Sequence, residues 1–169
     1  VILLLPLQDA KESIIVKTNT TAKRVAQYDL NDNFMPDVFL EKETYLVYNN
    51  YFGICGKNVE TLLNMYPNLI IDNAQAFYAQ PRGIASFYSP RKFFGLPDGG
   101  ITVCNKILSE EFNKSVSCDL CSHLLIRHDL SASAGYKEFQ KNDATLGTRP
   151  IELMSNLTQT LMGNIDYQN

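Results

Sequence analysis

Five residues in the middle of the chain have types and spacing suited to chemistry: Asp72, Gln75, Ser86, Ser89 and Lys92. Asp72 closes the apolar run Leu69-Ile70-Ile71, and Gln75 follows at once in Asn73-Ala74-Gln75. Ser86 and Ser89 lie in Ala85-Ser86-Phe87-Tyr88-Ser89-Pro90-Arg91-Lys92, which ends in a Ser-x-x-Lys step. A carboxylate at the end of a run that wants burial is costly without a partner, so a cation should face it. Lys92 can fill that place as a plain structural ion pair. The same two groups also suit pyridoxal phosphate, which needs a lysine to form an imine and a carboxylate to keep its ring nitrogen protonated. Its phosphate needs donors, which the serines supply.

These residues require a sheet edge to bring them together. Leu69 to Asp72, Ile84 to Ser89 and Gly100 to Val103 read as three consecutive buried strands, the last two joined by a loop closed by Gly95-Leu96-Pro97-Asp98-Gly99-Gly100. That short connection makes the last strand a candidate for antiparallel pairing. In an open α/β sheet, ligands sit at the carboxyl ends of the strands, where all five residues would meet in one crevice. Asp98-Gly99-Gly100 reads as a tight turn without direct chemistry. Arg91 is either a charge that lowers the Lys92 pKa by repulsion or a surface arginine on a turn.

The rest of the chain supplies the remaining layers. Val1 to Leu5, stopped by Pro6, reads as a buried strand, and Asp9 to Lys17 as a helix with Asp9 as N-cap, ended by Thr18-Asn19-Thr20-Thr21. Lys23 to Asp29 alternates like a strand, Asn31-Asp32-Asn33 with Pro36 is turn chemistry, and Thr44 to Tyr48 is the next strand. Asn49-Asn50-Tyr51-Phe52-Gly53 falls where that strand would emerge at the ligand edge. Asn58 is placed to cap a helix whose apolar face is Val59, Leu62, Leu63 and Tyr66, with Pro67 as its stop. Strand, helix and strand in that order form a βαβ unit. Cys118 to His128, Gly135 to Asn142 and Ser155 to Asn164 have helical character with no strand pattern between them, and Gly135-Tyr136 and Met154-Ser155 read as helix-start and packing features. The expected architecture is α/β, a mostly parallel mixed sheet flanked by helices, with the sheet core in 1–115 and a helical segment in 116–169.

Composition narrows the function classes. The chain has 169 residues, 45% of them hydrophobic and 20% charged, with a net charge of −3, which suits one globular core and no polyanion partner. No nucleic-acid partner is expected. The opening apolar run has no basic flank or cleavage site and is far shorter than the ~20 residues of a membrane helix, so neither a signal peptide nor a membrane partner is expected. Cytoplasmic location follows as the expectation. Four cysteines are too few and too clustered for a disulfide framework. Cys118-Asp119-Leu120-Cys121 has C-x-x-C spacing but only His123 and His128 near it, so two thiols on a helix are expected and no metal. Asn-x-Ser/Thr triplets begin at Asn19, Asn113 and Asn156 and would matter only in a secreted protein.

The run Asp72-x-x-Gln75, then Ser86-Phe87-Tyr88-Ser89-Pro90-Arg91-Lys92 and a loop closing in Gly99-Gly100, resembles the DegT/DnrJ/EryC1/StrS family of sugar aminotransferases, fold-type I enzymes dependent on pyridoxal phosphate. Tyr28-Asp29-Leu30-Asn31 and Tyr51-Phe52-Gly53 extend the likeness, which covers roughly residues 1 to 110. The resemblance implies that Lys92 forms the Schiff base, that Asp72 pairs with the pyridine nitrogen and that Gln75 lies beside the ring hydroxyl. A serine shortly before the lysine would contact the phosphate; Ser86 sits one residue further away than in the family and Ser89 closer, with Ser86 slightly favoured. The implied reaction moves an amino group from an amino acid, glutamate by expectation, to a keto sugar carried on a nucleotide. The implied assembly is at least a homodimer. Family members are about twice this long, with an N-terminal phosphate loop and a C-terminal small domain, so an incomplete chain is expected. The alternative from another class is a non-catalytic α/β module that keeps the sheet for binding or interaction.

Overall fold

A computed structural model describes residues 2–6, 24–41, 43–106 and 111–167. The expected helix Asp9 to Lys17, its stop at Thr18 to Thr21 and the Asn19 triplet lie outside the described residues. The chain packs as two units, Val1–Ser89 with Ile101–Ile107, and Pro90–Gly100 with Leu108–Asn169.

The first unit is an α/β sheet. Its strands are β1 (Ile2–Pro6), β2 (Arg24–Leu30), β3 (Pro36–Asp37), β4 (Thr44–Asn49), β5 (Leu69–Asp72), β6 (Ala85–Tyr88) and β7 (Ile101–Cys104). They lie in the order β3-β2-β1-β4-β5-β6-β7. The pairs β1–β2, β1–β4, β4–β5 and β5–β6 are parallel, and β3 and β7 close the two ends antiparallel. The sheet is therefore mixed and mostly parallel, and the loop-joined last strand does run antiparallel. β1 extends through Pro6, which is tolerated at a strand's last residue because only one ladder donor is lost.

After a 3-10 turn at Tyr51–Gly53, the helix α1 (Gly56–Met65) carries the chain from β4 to β5. It is amphipathic as expected: Val59 and Leu62 are buried in one cluster with Leu46, Tyr48, Leu69 and Ile71, and Leu63 and Tyr66 pack against it. Tyr66 ends the helix in an extended conformation, as a residue before proline favours. The helix begins earlier than expected. Cys55 is its N-cap, and Asn58 lies inside it, donating from Nδ2 to Asn33 O at 2.7 Å and to Tyr48 Oη at 3.1 Å. A side-chain amide two-thirds of a turn into the helix can reach neighbouring loops more readily than its own first amides.

Two of the three buried tyrosines of this cluster, Tyr28 and Tyr48, are tied through their hydroxyls. Tyr28 Oη donates to Val47 O at 2.7 Å, and Tyr48 Oη donates to Phe34 O at 2.9 Å. Burial pushes the Tyr48 phenol well above its ordinary range. The Asn31 turn is built as read: its Oδ1 accepts from the amides of Asn33 and Met35 at 2.9 and 3.1 Å. It returns the chain into β3, a two-residue edge strand that residue patterning did not indicate. β7 is a correction to the expectation of a third buried strand, since Val103 is 43% exposed. As the last strand of the sheet it has a neighbour on one side only among the described residues.

The second unit contains the turn Pro90–Lys92, the short 3-10 segment Cys118–Leu120, and the helices α2 (Ser122–Asp129), α3 (Ala132–Thr148) and α4 (Asn156–Gly163). Ser131 and Ser155 cap α3 and α4, accepting from Ala134 N and Thr158 N. Gly135 lies inside α3 rather than at its start, and a Cβ there would come within 2.9 Å of His123 O, so only glycine lets α2 and α3 approach this closely. Among the described residues, no helix is long and apolar enough to cross a membrane.

Candidate functional site

The carboxyl edge of the first unit is built around Asp72, the last residue of β5. Its carboxylate is half-buried, and Oδ1 accepts from Ala74 N at 2.7 Å, a local turn that holds the side chain in one orientation. Its carbonyl accepts from Asn50 N at 2.9 Å, and Asn73 N donates to Phe87 O at 2.8 Å. The residues just past β4 and β5 are thereby tied to the ends of β5 and β6.

Gln75 reaches across this edge, with Oε1 accepting from Phe52 N at 3.4 Å. Phe52 and Gly53 are both left-handed, at φ 51° and 75°. For a phenylalanine that conformation is strained by roughly 1 kcal/mol, and the residue is 73% exposed at the strand edge.

Ser86 does not join Asp72. In the β5–β6 register Ile71 is opposite Ser86 and Asp72 is opposite Phe87. Directly paired residues share a face and successive residues alternate, so Ser86 shares the face of Ile71, which packs with α1, and Asp72 occupies the other. Ser86 is fully buried, its Oγ donating to Arg82 O at 2.8 Å and accepting from Arg82 N at 2.9 Å. Its one hydroxyl proton is used. This corrects the expectation that all five residues meet in one crevice: a one-residue step along a strand reverses the face.

Ser89 follows β6 at the carboxyl edge and is half-buried, ending the first unit. Lys92 is exposed at the end of the Pro90–Lys92 turn and belongs to the second unit. Arg91 lies on that turn, as one of its two readings has it, but not at the open surface. It is half-buried and paired within the second unit to Asp143 of α3, Nη2 to Oδ1 at 3.4 Å. Its charge is therefore partly balanced.

The remaining candidates are structural. Cys118 is exposed in the 3-10 segment and Cys121 is the N-cap of α2, its Sγ donating to Ser117 O at 3.3 Å. Burial pushes the Cys121 thiol up, with the neighbouring Cys118 next in effect. His123 is buried with Nδ1 2.9 Å from Asn142 Nδ2. Among the described residues no group of acidic, cysteine and histidine side chains could hold a metal ion.

Two polar constellations went unrecognised in the sequence. Asp98 is 3% exposed and accepts from Ser155 N at 2.9 Å, Ser155 Oγ at 2.8 Å and Thr158 Oγ1. It anchors the first turn of α4, and nothing in the sequence links positions so far apart. Asn50 and Asn73 form a second buried pair, Asn50 Nδ2 donating to Asn73 Oδ1 at 2.9 Å. Their only signal was polarity immediately after two apolar strands. Set against known protein families, curated proteins and solved structures, the chain matches none.

Proposed function

We propose that the chain is the sheet core of a pyridoxal-phosphate-dependent aminotransferase of the sugar-aminotransferase type, acting between an amino acid and a nucleotide-linked keto sugar as a cytoplasmic enzyme of at least two subunits. The observation that carries this reading is Asp72: a half-buried carboxylate at the carboxyl end of β5, on the face opposite α1, oriented by Ala74 N–H. That is the environment in which an acid holds a cationic ring nitrogen.

The residues of the first unit fit the cofactor in part. Asp72 would hold the ring nitrogen, and Gln75, already bound to Phe52 N, would lie beside the ring hydroxyl. Lys92 is exposed, so its amine is accessible for covalent attachment. Ser86 does not fit, because its proton is committed to Arg82 O and its remaining lone pair cannot donate to a phosphate. The phosphate role passes to Ser89. When bound, the cofactor supplies an electron sink at the substrate α-carbon. The chain's part is to keep the ring cationic through Asp72 and to move a proton on Lys92 Nζ.

The spent Ser86 hydroxyl favours one competing reading, an α/β module without catalysis. Incubation with equimolar pyridoxal phosphate followed by borohydride reduction and peptide mass spectrometry separates the two. The expected result is a stable adduct concentrated on Lys92, weakened in Asp72→Asn and lost in Lys92→Ala. Adducts spread evenly over the lysines, or none, would overturn the enzyme reading.

A further inference from the structure

On the α1 face of the first unit lies a pocket of about 190 Å³ that the proposed reaction does not use. Asn50 and Asn73 line it, 5% and 1% exposed. Each gives one polar atom to their mutual hydrogen bond. The other two, Asn50 Oδ1 and Asn73 Nδ2, are buried without a partner among the described residues. Exchanging oxygen and nitrogen in both amides leaves the same balance, one open acceptor and one open donor. Open polar atoms this deeply buried are rare and costly unless something binds them.

The rest of the lining limits what that is. Val59, Ile71 and Ala79 supply apolar surface. Gly56 contributes no side chain, and a Cβ built there would meet nothing within 4 Å. The charged residues of the lining, Arg82 and Glu60, are exposed and pair with each other at 3.2 Å, and Gln80 adds a neutral amide, so the lining as a whole carries no net charge. The ligand that suits this lining best is uncharged, carries an acceptor beside a donor, and presents apolar surface.

We propose that this pocket binds a small carboxamide with a short aliphatic stem. Its carbonyl accepts from Asn73 Nδ2, its N–H donates to Asn50 Oδ1, and its stem lies against Val59, Ile71 and Ala79. The site is independent of the cofactor reading, since none of its residues is assigned there.

The test is titration of the uniformly ¹⁵N-labelled chain with isobutyramide, followed through the side-chain NH₂ signals of Asn50 and Asn73. Saturable shifts of both signals are expected. Isobutyrate and N,N-dimethylisobutyramide, which lack the neutral N–H donor, should bind roughly tenfold more weakly or worse, the loss of one buried hydrogen bond. Asn73→Asp should weaken isobutyramide by a similar factor. Gly56→Leu, which fills the pocket and leaves the amides in place, should abolish binding, and it decides the matter if Asn73→Asp does not fold. Absence of saturable shifts, equal shifts with isobutyrate or inorganic phosphate, or undiminished binding in Gly56→Leu would each overturn the proposal.

Discussion

The two units of this chain are held together by different chemistry. The first buries Leu46, Tyr48, Leu62, Leu69 and Ile71 in one continuous cluster between sheet and helix. In the second, Leu96 and Leu120 are joined in the interior by Asp98, Ser115, Ser117, His123, Asn142, Ser155 and Thr158. An apolar core is non-directional and tolerates adjustment. A hydrogen-bonded one is worth little per bond when complete but is costly when one partner is removed, because the others are left buried and unpaired. The difference teaches that stability in the first unit is spread over area, whereas in the second it is concentrated in a few atoms.

The sharpest way to break that comparison is Asp98→Ala. It leaves Ser155 N, Ser155 Oγ and Thr158 Oγ1 without their shared acceptor, and a cost of roughly 4 kcal/mol is expected. Amide exchange should accelerate at Ser155 and Thr158, with Leu46 and Ile71 unchanged. Equal acceleration in both units would mean that they unfold as one body. Leu62→Ala is the counterpart in the first unit. Truncating a side chain that is 1% exposed should cost about 3 kcal/mol, read as a lower urea midpoint with loss of protection in β4 and β5.

The smallest effect sharpens the comparison through pH. Burial, and then the nearby Arg91 charge, holds the His123 pKa below its ordinary 6.5, with Arg127 acting in the same direction and Leu120 O and Asp143 opposing. The unfolded chain therefore takes up a proton at higher pH than the native one. Stability from this group is fully present above 6.5 and is lost as pH falls through the lowered native value. Denaturation midpoints of the second unit should fall on acidification below pH 6.5, and His123→Gln should flatten that slope. An unchanged slope in the variant would remove His123 from the account.

Much of the first unit was legible because its signals are local. The run Leu69-Ile70-Ile71-Asp72 becomes β5 residue for residue. Val59, Leu62, Leu63 and Tyr66 recur at helical spacing and form the packed face of α1. The cap was misplaced because Asn58 has the chemistry of an N-cap but is spent on Asn33 O and Tyr48 Oη. β3 escaped notice because two residues carry no periodicity. Of the candidate site, the strand-end position of Asp72 could be read directly, but its separation from Ser86 could not. That depends on register, and a shift of one residue moves a side chain to the other face.

The residues by themselves determined the α/β class, the helix between β4 and β5, and the position of Asp72 at a strand's end, because apolar periodicity and turn chemistry act within a few residues of one another. Only the tertiary structure decided which polar groups are consumed. Asp98 with Ser155 and Thr158, and Asn50 with Asn73, are partners selected by folded geometry, and a hydrogen bond between distant positions leaves no trace in the order of the chain.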